Sequence, residues 1–230
     1  MSGRGTNVQH HRAAGRPSVA VLSRGLIFET ALRLLDERGE NGFGMREIAR
    51  ALGVRPSALY NHVRSKEDVL DGIRDLIVAR FDLSGFGVLP WDEALAQWAR
   101  SYMGSFAAHP PTIAMLAVQP VAQGSRTSLM YEAVTAGLMD AGWPADRVFE
   151  VIVGLESFII GSAFDQAAPQ DMFDPSDDAG LSAMRRAYDA REQSLEGERP
   201  SSRAFERGLR VMLSGLRAEL AQLNRDTDAD

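Results

Sequence analysis

The sequence predicts an all-α fold in two parts, a small head near the N-terminus and a larger helical body. Apolar residues recur at three- and four-residue spacing through most of the chain, which is the period of an amphipathic helix. No segment combines sustained alternation of apolar and polar residues with β-branched enrichment, so no strand is predicted. Gly, Pro and Ser interrupt the periodic segments and divide the chain into about nine to ten helices.

Composition limits the class of protein. The 230 residues are 45% hydrophobic and 24% charged, which suits a globular core. Cysteine is absent, which excludes disulfides and thiolate sites and favours a cytoplasmic location. The uncharged stretch 101–125 is long enough to span a bilayer, but its prolines and polar residues predict a buried segment and no membrane partner.

Charge is distributed unevenly along the chain. Residues 1–80 hold thirteen basic and nine acidic side chains, whereas residues 81–230 hold twelve basic and twenty-two acidic ones. This asymmetry predicts that only the first third of the chain meets a polyanion, although chance could produce the same pattern. Residues 1–19 lack periodicity and carry three arginines, which predicts a flexible basic arm, and residues 225–230 are predicted as an acidic tail.

The head is predicted over residues 20–80. Gly53 supplies a turn, Pro56 suits the first turn of a helix, and Ser65 suits an N-cap because its hydroxyl can accept from the helix amides. The predicted head helices cover about 23–39, 45–52, 56–62 and 65–80.

Residues 45–66 predict a helix-turn-helix on physical grounds. Ala49 is small where two helices must cross closely, and Gly53 turns the chain between them. The second helix of the pair carries small and polar residues on its outer side. Such a helix can enter a major groove about 12 Å wide and present donors to base edges.

The same segment resembles a known family. Leu59-Tyr60-Asn61-His62, followed by Ser65-Lys66-Glu67 and an apolar pair at 69–70, is similar to the DNA-binding domain of the TetR (tetracycline-repressor) family over about residues 20–75. The resemblance implies a regulator that binds a double-stranded DNA operator, with repression as the commoner mode of the family. Gly44 departs from the pattern, since the family usually has Ser or Thr as a cap there.

The resemblance implies roles for nine residues. Arg46 would reach a guanine edge, although a solvated arginine is equally compatible with its position. Tyr60, His62 and Lys66 would contact phosphates, and the alternative for Tyr60 is a core aromatic with its hydroxyl at the surface. The other residues predicted to bind DNA are Arg55, Pro56, Ser57, Ala58 and Asn61.

The body is predicted over residues 88–224 as a helical bundle that binds a ligand and dimerises. Its predicted helices cover about 91–108, 111–118, 126–141, 144–166, 180–195 and 202–223, with an acidic loop at 168–180.

Two of these helices predict a homodimer interface. Helix 144–166 is apolar on nearly all sides, and the last helix carries an apolar stripe. Together they predict half of a four-helix interface, unless helix 144–166 is the central core helix of a monomer. The residues predicted in this interface are Phe149, Ile152, Val153, Ile160, Leu209, Met212, Leu216 and Leu220.

Methionine and aromatic residues in and around 101–125, together with a few neutral polar groups, predict a cavity for a small apolar effector. Ordinary core packing is the alternative for each residue taken alone. The predicted lining residues are Trp98, Tyr102, Met103, Phe106, Met115, Gln119, Met130 and Phe158.

No pattern points to catalysis, a metal site or a cofactor. The histidines at 10, 11, 62 and 109 are not at metal-ligand spacing on a helix. No Gly-rich phosphate loop follows a strand, and no Gly-x-Ser-x-Gly elbow occurs. We therefore expect a DNA-binding regulator and not an enzyme. The alternative is a DNA-binding dimer whose body docks a protein partner and senses no small ligand.

Overall fold

The computed structural model describes residues 22–116, 119–176 and 178–227, and this part of the chain contains ten α-helices and no strand. The predicted all-α fold is confirmed. The predicted basic arm, residues 1–19, lies outside the described residues. The helices are α1 (Arg24–Arg38), α2 (Met45–Ala51), α3 (Pro56–Leu59), α4 (Lys66–Val78), α5 (Trp91–Ala107), α6 (Pro110–Leu116), α7 (Arg126–Asp140), α8 (Val148–Asp165), α9 (Ser182–Ser194) and α10 (Pro200–Thr227).

Local signals in the sequence begin and end the head helices. The Ser23 hydroxyl accepts a hydrogen bond from the backbone N–H of Leu26 at 3.2 Å, and the Ser65 hydroxyl accepts from Asp68 at 3.3 Å. Both serines are therefore N-caps. Gly53 has a φ of 66°, which glycine adopts without steric cost, so the chain can reverse between α2 and α3.

Helices α1 to α4 pack around a small apolar core. Ile48, Ala49 and Leu59 are buried where α2 and α3 meet. α1 lies against α4, and Gly72 makes this approach close, because a Cβ there would lie 2.4 Å from the ring of Phe28. The head therefore depends on side-chain complementarity between α1 and α4 as well as on the turn.

Helix α8 is the centre of the body and packs against α5, α6, α7 and α10. Ile152, Leu155 and Ile159 are fully buried on it. The ring of Phe158 stacks on Phe205 of α10 with centroids 5.5 Å apart. Glycine at position 208 leaves the space for that ring, since a Cβ would lie 2.6 Å from it.

Three predicted boundaries are corrected. α3 ends at Leu59, three residues before the predicted end, because the chain turns through residues 60–62. α8 begins at Val148, since Pro144 lies in a turn closed by the Arg147 N–H on its carbonyl at 2.9 Å. α10 extends to Thr227 and includes the first residues of the predicted acidic tail, because residues 216–227 are mostly good helix formers. Residues 228–230 lie outside the described part.

The uncharged segment contributes residues 101–107 to α5 and residues 110–116 to α6, on either side of a short turn. Within the described ranges, no helix is long and apolar enough to cross a membrane.

Candidate nucleic-acid interface and effector cavity

The exposed side of α2, α3 and the following turn, residues 46–66, concentrates positive charge, and we call it the recognition face. The guanidinium groups of Arg46, Arg50, Arg55 and Arg64 are exposed and form no ion pair with any residue that the structure describes. Unpaired exposed cations are available to a polyanion. Arg50 and Arg64 were not among the predicted residues, although their charge within a basic segment was a usable signal.

The recognition face also carries the other predicted DNA-binding residues. Tyr60 is 54% exposed, so it is not a core aromatic. Small side chains on α3 next to polar ones leave the helix narrow enough to approach a groove. Pro56, Ser57 and Asn61 are exposed, and Ala58, His62 and Lys66 are half-buried.

An aromatic contact positions Lys66 at the start of α4. Its Nζ lies 4.8 Å from the centroid of the Phe43 ring, within the range of a cation–π contact. Phe43 is itself buried against the head core. The Phe43 ring therefore positions the Lys66 ammonium group, which forms no ion pair with a carboxylate of the described residues.

Arg24 connects α1 to the end of the recognition face. Its guanidinium donates to both carboxylate oxygens of Asp68, at 2.7 and 3.3 Å, and to the carbonyl of His62 at 2.9 Å. Burial raises the pKa of Asp68, but the hydrogen bonds from Arg24 and from the Arg64 N–H outweigh it and hold that pKa below its usual value. This contact fixes the turn that carries His62, and the sequence did not reveal it.

His109 links the head to the body. Arg80, just after α4, donates to His109 Nε2 at 2.8 Å, and His109 Nδ1 contacts Asp36 Oδ2 of α1 at 2.8 Å. A guanidinium can only donate, so Nε2 accepts and Nδ1 carries the proton. The imidazole thus joins α1, the end of α4 and the beginning of α6.

A cavity of about 120 Å³ lies between α4, α5, α6, α7 and α8, and we call it the effector cavity. Its wall is mainly apolar and aromatic, with a few polar groups. The lining residues are Arg74, Val78, Phe81, Tyr102, Phe106, Ile113, Leu116, Gln119, Val121, Thr127, Met130, Tyr131, Glu156 and Ile160.

Four of the eight residues predicted to line a cavity do so: Tyr102, Phe106, Gln119 and Met130. The others do not. Trp98 is buried behind the wall, with its ring edge on Tyr102 at 5.4 Å, and Phe158 is used in the contact between α8 and α10. Met103 and Met115 are half-buried and contribute no surface to the cavity.

The residues predicted at a dimer interface fall into three groups. Ile152, Leu209 and Leu220 are buried within the chain and have no surface left for a partner, so their role is corrected to core packing. Ile160 is half-buried and lines the effector cavity. Phe149 and Val153 are exposed on α8, Met212 and Leu216 are half-buried on α10, and two unpredicted residues, Phe164 and Val211, are exposed beside them.

Arg74 of α4 ties that helix to the end of α6. Its side chain is buried, and its guanidinium donates to the carbonyls of Leu116 at 2.7 Å, Gln119 at 3.1 Å and Pro120 at 2.9 Å. The Asp71 carboxylate is 3.9 Å away. Because Arg74, Leu116 and Gln119 all line the effector cavity, anything that enters it meets the contact between α4 and α6.

Glu156 of α8 is the acidic group of the cavity. The Tyr131 hydroxyl donates to its two carboxylate oxygens at 2.8 and 3.0 Å. Burial raises the pKa of Glu156, and the hydrogen bonds from Tyr131 and Tyr102 lower it only in part. Burial likewise raises the pKa of Tyr131 and Tyr102, so both are neutral donors. Glu156 is the only charged residue between 151 and 164, a signal in the sequence that the predicted lining residues left out.

A wider groove, about 780 Å³, lies between α5 and α10 and is open to solvent. Ion pairs bridge it, from Arg100 to Glu206 at 2.8 Å and from Arg217 to Asp92. Its charged, open walls contrast with the enclosed apolar surroundings that small ligands favour. Across the described ranges, no cluster of three His, Cys, Asp or Glu side chains could hold a metal ion.

Comparison with known proteins gives one consistent family. The family model "Bacterial regulatory proteins, tetR family" matches residues 27–73, and "Tetracyclin repressor-like, C-terminal domain" matches residues 89–220. An HTH-type transcriptional regulator of Saccharopolyspora erythraea is 25% identical over 203 residues, which cover 86% of each chain. The tetracycline repressor protein class C of Escherichia coli is 27% identical over 205 residues, 85% of this chain and 90% of the relative.

A solved structure shares the fold. The Streptomyces coelicolor TetR family protein ActR in complex with actinorhodin has a TM-score of 0.68 and 22% identity, over 87% of this chain and 99% of its own. The similarity spans both the head and the body.

Proposed function

This chain belongs to the tetR family of bacterial regulatory proteins and is a DNA-binding transcriptional regulator and not an enzyme; we propose that it is a cytoplasmic repressor released from its operator by a small ligand. The observation that carries the proposal is the recognition face. Four exposed arginines, which form no ion pair with any described residue, lie on and around a short helix whose outer residues are small or polar. This combination suits phosphate binding around a base-reading centre.

Within that face, we assign roles by exposure and chemistry. Arg46 reads a guanine edge with its two-pronged guanidinium, and Pro56 and Ala58 contact thymine methyl groups. Tyr60, His62 and Lys66 bind phosphates, and Arg50 and Arg64 add charge at the edges. The contacts that Arg24 and Phe43 make hold His62 and Lys66 in place before DNA arrives.

The working form is a homodimer joined through α8 and α10. Phe149, Val153, Phe164 and Val211 expose apolar surface on these two helices. No described residue from outside α8 lies within 4 Å of a Cβ built at Gly154 or Gly161, so the backbone of a second copy can approach closely. In such a dimer, the two α3 helices would read half-sites about 34–36 Å apart, one turn of the duplex.

The effector cavity is where a ligand would act on DNA binding. Arg74 holds α4 to the end of α6, and α4 begins at Lys66 of the recognition face. A ligand that displaces the α6 carbonyls would favour a second position of α4 and spoil the half-site spacing. The shift is limited by the difference in ligand affinity between the two positions. The ActR structure is a complex with actinorhodin, which supports a ligand role for a body of this fold.

One observation favours the alternative, a body that docks a protein partner. Helix α9 has no buried residue and exposes Met184, and Met172, Phe173 and Leu181 are exposed in the segment before it. The effector cavity is less open than the groove between α5 and α10, and its apolar wall carries a few polar groups, which favours the ligand role.

The test begins with genomic fragments selected by the purified full-length protein. Fluorescence anisotropy would then measure their affinity at two salt concentrations with nonspecific competitor. We expect one near-palindromic duplex to bind tightly in the presence of competitor. Only weak binding of every fragment, falling steeply with salt, would contradict a sequence-specific repressor.

Ligand control has its own test, because coupling is reciprocal. A ligand that weakens operator binding must itself bind more weakly to the protein–operator complex, by the same factor. A ligand whose affinity is the same with and without operator would contradict release.

A further inference from the structure

Glu156 is the acidic side chain in the wall of the effector cavity. Glu156 is 9% exposed, and among the residues that the structure describes its carboxylate accepts only from tyrosine hydroxyls. No ion pair involving Glu156 occurs within residues 22–116, 119–176 and 178–227. Burying a carboxylate without a positive partner destabilises a fold, so a positive charge placed beside Glu156 in the cavity would be stabilising.

Arg74, the cation already present in the cavity wall, does not supply that positive charge to Glu156. The Arg74 guanidinium donates to the Leu116 carbonyl at the end of α6 and to two carbonyls just after that helix, and it lies near Asp71. It is therefore used in joining α4 to α6. An anionic ligand would face Glu156 without a free positive group to receive it.

A second polar group in the same wall has no partner. Thr127 is 5% exposed, lines the cavity, and its hydroxyl forms no hydrogen bond to any described residue. A buried hydroxyl without a partner is rare, and one in a cavity wall is available to a ligand. A single ligand in the cavity can therefore donate to the Glu156 carboxylate and form a hydrogen bond with the Thr127 hydroxyl.

Aromatic rings supply the rest of the surroundings. Phe81 stacks on Tyr102 at 4.3 Å, Tyr102 lies 5.2 Å from Phe106, and all three rings line the cavity. The faces of such rings attract cations as well as apolar groups. The volume of about 120 Å³ is close to that of a cavity of about 150 Å³ known to hold benzene.

We infer that the effector cavity selects a small organic cation, a protonated amine on a single ring, with the ammonium against Glu156 and Thr127 and the ring among the aromatics. This inference rests on the proposed ligand-sensing function and revises the expected ligand from apolar to cationic. Charge complementarity at a buried acid, and not the apolar area, sets the preference.

Three probes of nearly equal shape test it: benzylammonium, ethylbenzene and benzoate. Calorimetry on the full-length protein would give their affinities directly, without DNA. We expect benzylammonium to bind at least about tenfold more tightly than ethylbenzene, and benzoate not to bind. Equal affinity for benzylammonium and ethylbenzene would overturn the assignment, and so would the absence of binding by benzylammonium at millimolar concentration.

Two variants localise the effect. Glu156→Gln keeps the size and an acceptor oxygen, and should weaken benzylammonium at least about tenfold while retaining ethylbenzene. Glu132→Gln makes the same charge change on the exposed side of α7 and should leave both affinities as in the wild type. If Glu156→Gln leaves benzylammonium affinity unchanged, the cation does not bind at this acid.

A separate measurement distinguishes this inference from the proposed function. Benzylammonium is added to the protein–operator complex, and release is followed by anisotropy. Binding that depends on Glu156 but releases no DNA would support the cation site and contradict ligand control. Release by ethylbenzene as well as by benzylammonium would support ligand control and overturn cation selectivity.

Discussion

On the recognition face, Arg46 and Arg55 are exposed and form no ion pair within the part of the chain that the structure describes. In the cavity wall, Arg74 is 6% exposed and its guanidinium donates to three carbonyls. The first two are solvated and destabilise little when removed. Arg74 is desolvated, so its partners depend on it. The same residue type therefore contributes to affinity at one site and to structure and coupling at the other.

The comparison extends to acids. Asp68, at the edge of the recognition face, gains a bidentate contact with Arg24, and its pKa is held below the usual value despite its burial. Glu156 accepts from the hydroxyls of Tyr131 and Tyr102, and burial raises its pKa. Asp68 has a positive partner within the protein, whereas the proposed positive partner of Glu156 is a bound ligand. We therefore expect substitutions at the two sites to differ in the sign as well as the size of their effect on stability.

The largest effect is expected at Arg74. Arg74→Gln removes the charge and leaves a shorter amide, with two N–H donors, for the carbonyls of Leu116, Gln119 and Pro120. Because charged hydrogen bonds contribute about 1.5–3 kcal/mol each and are not additive, we expect the free energy of unfolding to fall by about 3 kcal/mol. Chemical denaturation would measure it.

Arg74→Lys is the matched control, since it keeps the charge but not the planar fork, and its loss should be smaller. A loss below about 1 kcal/mol for Arg74→Gln would show that solvent reaches these carbonyls. Arg74 would then differ less than proposed from the solvated arginines of the recognition face.

A smaller effect, on binding and not on folding, is expected at Arg46. Arg46→Ala should weaken operator binding by about 1–3 kcal/mol and relax the preference at one base-pair position. The free energy of unfolding should stay within about 0.5 kcal/mol of the wild type, because the side chain is solvated. Anisotropy against single-base operator variants measures the preference.

The control for Arg46 is Arg186→Ala, which removes the same charge from the exposed side of α9. Uniform weakening across all operator variants, with no change in preference, would move Arg46 from base reading to phosphate binding. Its assigned role in the recognition face would then be wrong.

Substitution of Lys66 should change only the electrostatic, sequence-independent contribution to DNA binding. Lys66→Ala is expected to weaken binding to all duplexes alike and to reduce the slope of log affinity against log salt by about 1. Lys66→Arg should retain the slope. A slope unchanged in Lys66→Ala would mean that the contact with the Phe43 ring, and not a phosphate, explains its position.

The sequence predicted the head more closely than the cavity for a physical reason. Ser23, Gly53 and Ser65 act on backbone within a few residues, so local chemistry alone determines their effect. Phe158 and Ile160 lie only two residues apart on α8, yet one packs on α10 and the other lines the cavity. Helical spacing indicates that both are apolar positions, but only the arrangement of neighbouring helices decides which surface each one meets.

The charged residues of the cavity were missed for a related reason. Arg74 follows Asp71 and precedes Asp75, a pattern typical of a solvated helix face. Its burial comes from the end of α6 and the residues after it, about forty residues later in the chain, which carry the carbonyls of Leu116, Gln119 and Pro120. Glu156 lies in an apolar helix, but spacing could not show that Tyr131 of α7 lies opposite it.

The smallest effect is expected at Glu156, and its sign is opposite to that at Arg74. Because the pKa of Glu156 is raised in the folded state, the folded chain retains a proton that the unfolded chain releases above its pKa of about 4.3. The stability that this proton gives is present below the unfolded pKa and is lost as the pH rises through the folded one. The glutamine of Glu156→Gln cannot ionise. The melting temperature of this variant should therefore be higher than that of the wild type at pH 7.5 and equal to it at pH 4.

The size of the difference is expected to be a few degrees, since about 1 kcal/mol shifts the melting temperature of a chain of this length by about 2–4 °C. Glu132→Gln, on the exposed side of α7, should show no pH-dependent difference. If Glu156→Gln melts lower at pH 7.5, the carboxylate stabilises the fold through Tyr131, and no unmet charge is left for a ligand. If it melts higher while losing affinity for a cation, the same group weakens the fold and provides the binding site, which is the trade-off expected of a residue retained for function.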